Sequence, residues 1–168
     1  MMARDWLGAH ELKARAGQLT AFDTTIMMDT DIYVNGDITE LFSIAERGKL
    51  AIYRHLKKGS WNSGVMAFNR ELGIRLSKEW AARRAYIAGQ VCASRTEKSY
   101  YKTDQKSLNE IINKYPIHSL SAKYNYIIPE RSLEEEEMDW YVVKVFHFLH
   151  KSCKHREDSR SFKLWSEL

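Results

Sequence analysis

An α/β fold with a mixed, mainly parallel sheet flanked by helices is the class this sequence predicts, and three observations carry that prediction. Short β-branched and apolar runs at Thr24–Met28, Leu50–Tyr53, Gly64–Phe68 and Tyr141–Phe148 alternate with stretches whose apolar residues recur at helical spacing. Turn signals such as Asn35-Gly36-Asp37 and Pro116 separate them. No segment repeats, and 168 residues with 44% hydrophobic and 12% aromatic content suit one domain over residues 1–168.

In chain order, Trp6, Leu7, His10, Leu12 and Ala14 sit among polar positions and read as an amphipathic helix over 4–16 that ends near Gly17. Thr24 to Met28 suits a buried strand, and Asp29 to Asp31 then lie where it emerges. Ile38, Leu41, Phe42 and Ala45 give a short helix over 39–47, with Asp37 or Thr39 as its cap. Leu50 to Tyr53 is a strand, Lys57 to Ser60 a polar loop, and Gly64 to Phe68 a second short strand. From Glu71 to about Gly89 the chain is helical, with Leu72, Leu76, Trp80, Ala81 and Ile87 on or near one stripe.

Thr103 or Asp104 caps a helix through Asn113, with Leu108, Ile111 and Ile112 turned inward and Pro116 ending it. Extended segments follow near Ile117–Leu120 and Tyr124–Ile128. The acidic run Glu134–Glu137 is a solvated loop or helix start, Tyr141 to Phe148 is a strand, and residues 156–168 form a basic tail.

Charge and cysteine usage bound the function. A formal charge of +4 from 26 basic and 22 acidic residues fits phosphate-bearing ligands and requires no specific nucleic acid. Cys92 and Cys153 have no second sulfur at ligand spacing, so reduced thiols in a cytoplasmic protein are the expectation. The N-terminus has no apolar signal core, and nowhere do about 18 apolar residues run together.

Four clusters can carry chemistry. Asp29-Thr30-Asp31 follows an apolar strand directly, and carboxylate oxygens there suit a hard cation such as Mg²⁺ or Mn²⁺. A solvated turn supplies the same pattern by chance, but open α/β sheets bind ligands beyond the carboxyl ends of their strands. A calcium loop fails, because Val34 stands where the sixth position needs glycine and Tyr33 occupies the fifth. Asn62-Ser63-Gly64 offers two polar side chains and a close backbone approach, or simply a turn into a strand. Asp104-Gln105 opens a helix, where capping alone explains the acid but both groups can face a cleft. His147 ends the late strand and is followed by His150, Lys151, Lys154 and His155, cationic groups able to complete a metal site and neutralise a diphosphate.

Taken in order, these clusters resemble the retaining glycosyltransferases of family eight, the glycogenin-like and galactosyltransferase-like enzymes of the GT-A fold. The segments that carry the likeness are Phe22 to Ile38, Trp61 to Asn69, Asp104-Gln105 with Leu108-Asn109, Tyr124-Asn125, and Val145 to Phe148, within residues 13–155. The resemblance implies that Asp29, Asp31 and His147 bind a divalent ion, usually Mn²⁺, bridging the phosphates of a nucleotide sugar, most often a UDP-sugar. It also implies that Asn62, Ser63 and Gly64 line the donor sugar pocket. Asp104 and Gln105 would lie beside the transferring sugar, and Lys151 or Lys154 would answer a phosphate-binding lysine. The acceptor would be a glycan, lipid or protein, with a homo-oligomer or peripheral membrane contact as further expectations.

The sequence departs from that pattern in two places. Only 28 residues precede Asp29, where the family has a further βαβ region that grips the nucleotide base, so the fold is expected to be N-terminally shortened. The Gly and Lys-Pro-Trp that follow the family's histidine are replaced by Leu149 to His155. A fragment, a reduced enzyme and a catalytically weak remnant serving as a binding or assembly protein all fit those departures.

Overall fold

The computed structural model describes residues 9–55, 58–94, 103–128 and 142–148. Helical residues 9–14 lead into helix α1 (Ala16–Leu19) and strand β1 (Thr24–Met28). Strand β2 (Ile32–Val34), helix α2 (Glu40–Glu46), strand β3 (Leu50–Arg54) and strand β4 (Trp61–Asn69) follow. Next come the long helix α3 (Arg70–Ser94), helix α4 (Thr103–Ile111) with a 3₁₀ turn at Ile112–Lys114, and strand β5 (Ile117–Leu120). A 3₁₀ turn at Ala122–Tyr124 precedes strands β6 (Tyr126–Ile127) and β7 (Val145–His147).

The α/β class and the mixed sheet stand, but the mainly parallel weighting does not. Two sheets form, in the orders β1-β4-β3-β5 and β2-β7-β6. Of their pairings, β1·β4, β3·β4 and β2·β7 are antiparallel, while β3·β5 and β6·β7 are parallel. The reason is connection length. Six residues between Arg54 and Trp61 cannot make a crossover and turn back as a hairpin, with Gly59 at φ 64°, whereas α3 and α4 supply the long crossover from β4 to β5.

The strand in the middle of this arrangement is buried on both faces. Met66 and Phe68, with Leu50 and Ile52, face Leu72, Leu76, Trp80, Leu108 and Ile112 of the α3/α4 layer. Val65 and Ala67, with Ala51, face Leu41, Ile44 and Ala45 of α2 together with Tyr124 and Val145. That alternation is the period of a pleated strand. Near 25 cal/mol per Å² of apolar surface removed from water, these two layers are the main source of stability.

Three local details differ from the sequence expectation. Gly17 does not stop a helix but lies inside α1, where a Cβ would collide with the backbone of Gly73, so two helices touch through glycines. Asn69, not anticipated as a cap, accepts from Leu72 N at 2.9 Å and starts α3. Leu12 points to solvent at 60% exposure, while His10 on the same segment turns inward to an acid. The acidic run at 134–137, residues 149–168, and with them Lys151 and Lys154, lie outside the described residues.

Candidate metal centre and its surroundings

Asp29, Asp31 and His147 reach one place because three backbone pairings converge there. Asp29 N donates to Gly64 O at 2.9 Å, extending the β1·β4 ladder by one residue past Met28. Ile32 pairs with His147 across β2·β7, and Phe148 N donates to Asp31 O at 2.9 Å, which pins the second acid beside the histidine. One ligand atom from each of the three residues lies within 4.8 Å of the others.

The imidazole is fully buried, and its Nε2 stands 3.2 Å from Asp31 Oδ1 and 3.6 Å from Asp29 Oδ2. Neither approach has hydrogen-bond geometry, so among the described residues the buried Nε2 has no hydrogen-bond partner. Such an atom is costly unless something binds it. An imidazole nitrogen with two carboxylates is a donor set suited to a divalent cation, and a cation there would satisfy all three groups at once.

Asn62, Ser63 and Gly64 are not a turn before a strand but the first half of β4 itself. The β3·β4 register slips between Ile52 and Tyr53, whose partners are Met66 and Asn62, leaving Ser63, Gly64 and Val65 opposite the irregularity. Side chains of α4 take over. Gln105 Oε1 accepts from Ser63 N at 3.2 Å and from Ser63 Oγ at 3.1 Å, and Asn109 Oδ1 accepts from Trp61 N at 2.7 Å. Asn109 Nδ2 returns a bond to Trp61 O at 2.9 Å. Gln105 Nε2 is buried and has no hydrogen-bond partner among the described residues.

Gly64 is required for a reason the sequence did not give. A Cβ there would collide with Cε1 and Nδ1 of the His147 ring and press on Asn62 Oδ1, so the close approach that glycine permits is that of the imidazole. Asn62 Oδ1 is occupied by Gly64 N and Asn125 Nδ2, each at 2.8 Å.

Asp104 belongs to the same neighbourhood through a lysine that sequence reading passed over. Lys13 Nζ lies 2.5 Å from Asp29 Oδ1 and 3.7 Å from Asp104 Oδ2, and His10 Nδ1 lies 3.3 Å from the same Asp104 oxygen. Burial pushes the Asp104 carboxyl up, but the His10 hydrogen bond, the Lys13 and His10 charges and the Gln105 backbone together outweigh it and hold the group below its ordinary value. His10 and Lys13 stand three apart, the spacing of one helical face, and that was the available signal. Trp80 fixes the start of α4 beneath them, donating from Nε1 to Asp104 O at 2.9 Å and to Ser107 Oγ at 3.1 Å.

No protein-family profile matches the chain, and neither does any curated protein sequence. Solved structures do match, and they are glycosyltransferases. Mouse xyloside xylosyltransferase 1 in its apo form aligns at TM-score 0.53 and 16% identity over 84% of this chain and 63% of its own. The glycosyltransferase GlyE of Streptococcus pneumoniae TIGR4 aligns at 0.61 and 20% over 92% of this chain and 42% of its own. The galactosyltransferase LgtC, in complex with donor and acceptor sugar analogs, aligns at 0.59 and 16% over 94% of this chain and 66% of its own. The fold is therefore that of these GT-A glycosyltransferases, and the chain spans between about two-fifths and two-thirds of their length.

Proposed function

We propose that this chain is a metal-dependent glycosyltransferase moving a sugar from a nucleotide-diphosphate donor, a UDP-sugar, to a glycan, lipid or protein acceptor. The observation that carries the reading is the buried Nε2 of His147, which faces Asp29 and Asp31 and has no hydrogen-bond partner among the described residues. Asp29, Asp31 and His147 would hold Mn²⁺ or Mg²⁺, which supplies Lewis-acid charge for the diphosphate as the glycosidic bond to it breaks.

The chain's own residues have separable tasks. Asp104 is kept ionised by His10 and Lys13, so its charge is available to the sugar ring as that ring becomes cationic. Gln105 commits its oxygen to Ser63 and leaves Nε2 as a donor with no hydrogen-bond partner among the described residues, suited to a sugar hydroxyl. Asn62, Ser63 and Gly64 shape the donor pocket at the slipped part of β4. Lys151 or Lys154 adds positive charge for the phosphates, and retention of configuration is carried over from the resemblance. A cytoplasmic location completes the reading.

The test is Mn²⁺-dependent hydrolysis or transfer from a panel of UDP-hexoses. In Asp31→Asn, turnover is expected to fall at least about 100-fold, the scale on which loss of one charge-stabilising group acts. Equal turnover in that variant, or in the wild type under chelation, contradicts the proposal. A binding or assembly protein that keeps the fold is the second reading. It predicts metal-dependent UDP binding in calorimetry without turnover of any donor.

A further inference from the structure

We infer that Asn125, locked by Asn62, is a positioning residue that sets the tautomer and aim of the His147 ring. Gly64 N–H can only donate, and it lies 2.8 Å from the Asn62 side-chain oxygen, which fixes which way round that amide sits. The same oxygen meets the Asn125 side chain at 2.8 Å, and two amide oxygens would repel there, so Asn125 presents its NH₂.

Its other terminus, the oxygen, is then the atom 2.8 Å from His147 Nδ1. An amide oxygen only accepts, so Nδ1 carries the proton. In the neutral ring the lone pair is left on Nε2, the nitrogen that faces Asp29 and Asp31. Asn125 and His147 are both fully buried, so no water can readily replace the amide as acceptor. The absent Cβ of Gly64 lets the ring lie against β4, closing a loop of contacts in which one backbone N–H dictates the orientation of an imidazole 83 residues further along the chain.

The consequence for metal binding rests on the proposed centre, but the tautomer can be read without metal. In ¹⁵N-histidine-labelled protein free of metal, multiple-bond ¹H–¹⁵N spectra should show, for the singly protonated ring, Nδ1 protonated and Nε2 bare. Asn125→Leu should move the proton toward Nε2 and lower Mn²⁺ affinity, measured by electron paramagnetic resonance, by about 10- to 100-fold. Asn62→Ala, which frees Asn125 to turn over, should likewise move the proton and weaken Mn²⁺ binding, and it carries the test if Asn125→Leu does not fold.

A wild-type ring protonated on Nε2 overturns the relay. A folded Asn125→Leu with unchanged tautomer and unchanged Mn²⁺ affinity overturns it as well. If the tautomer responds as described but the wild type binds no Mn²⁺, the relay stands and the metal reading falls, so the two failures are distinguishable.

Discussion

Strand β4 has two halves of opposite character within nine residues. From Val65 to Phe68 every side chain is apolar and buried, gripped by helices on both faces. From Trp61 to Gly64 the same strand is held by amide side chains: Asn109 on Trp61, Gln105 on Ser63 and Asn125 on Asn62. The first half is fixed by non-directional burial and tolerates reshuffling of volume. The second is fixed by directional bonds to residues 42 to 63 positions away, and each bond has one geometry that works.

The contrast can be broken from the apolar side first. Met66→Ala removes a fully buried side chain between β4 and the α3/α4 layer and should cost about 2–5 kcal/mol in denaturant unfolding. If the halves are as separate as described, the folded fraction keeps its Mn²⁺ affinity. Gly64→Ala should invert that result. Overpacking against the imidazole costs about 1–3 kcal/mol of stability, with Mn²⁺ affinity falling more steeply than stability because the ring itself must move.

A smaller effect sharpens the electrostatic part. Asp104→Asn should destabilise by about 1–2 kcal/mol at neutral pH, since it removes the carboxylate that accepts from His10 and forms an ion pair with Lys13. The folded state holds this carboxyl below its ordinary value of about 4, so it binds a proton less readily than the unfolded chain does. Its stabilisation is therefore complete above about pH 4 and disappears as pH falls through the lower folded value. Wild-type and variant stability curves should converge in acid and separate toward neutrality. The smallest effect belongs to the exposed pair Lys114–Glu79, where Lys114→Ala should change stability by no more than about 0.5 kcal/mol.

The same contrast explains what could be read in advance. Apolar runs located β1 and β3, and helical periodicity α2, α3 and α4, within a few residues, although β1 is half-buried where a buried strand was expected. Sheet direction was misjudged because strand alternation does not encode orientation, and the short Arg54-to-Trp61 link was the better guide. Of the site residues, Asp29, Asp31 and His147 were named from the order of motifs, and the fold brings them together. Lys13 was missed because a lysine on an N-terminal helix looks like a solvated face, and His10 counted only as part of the helix's apolar stripe, since neither residue shows in sequence that Asp104 arrives beside it. Asn125 was noticed without a task, since a hydrogen bond to a residue 22 positions later leaves no pattern in sequence.

The most direct test of the shared centre is calorimetric titration of Mn²⁺, with UDP present, into the wild type and into folded Asp29→Asn, Asp31→Asn and His147→Ala. One bound ion in the wild type, weakened at least about 10-fold by each substitution, is the predicted result. Indistinguishable binding in all four proteins would mean that these three side chains do not share an ion.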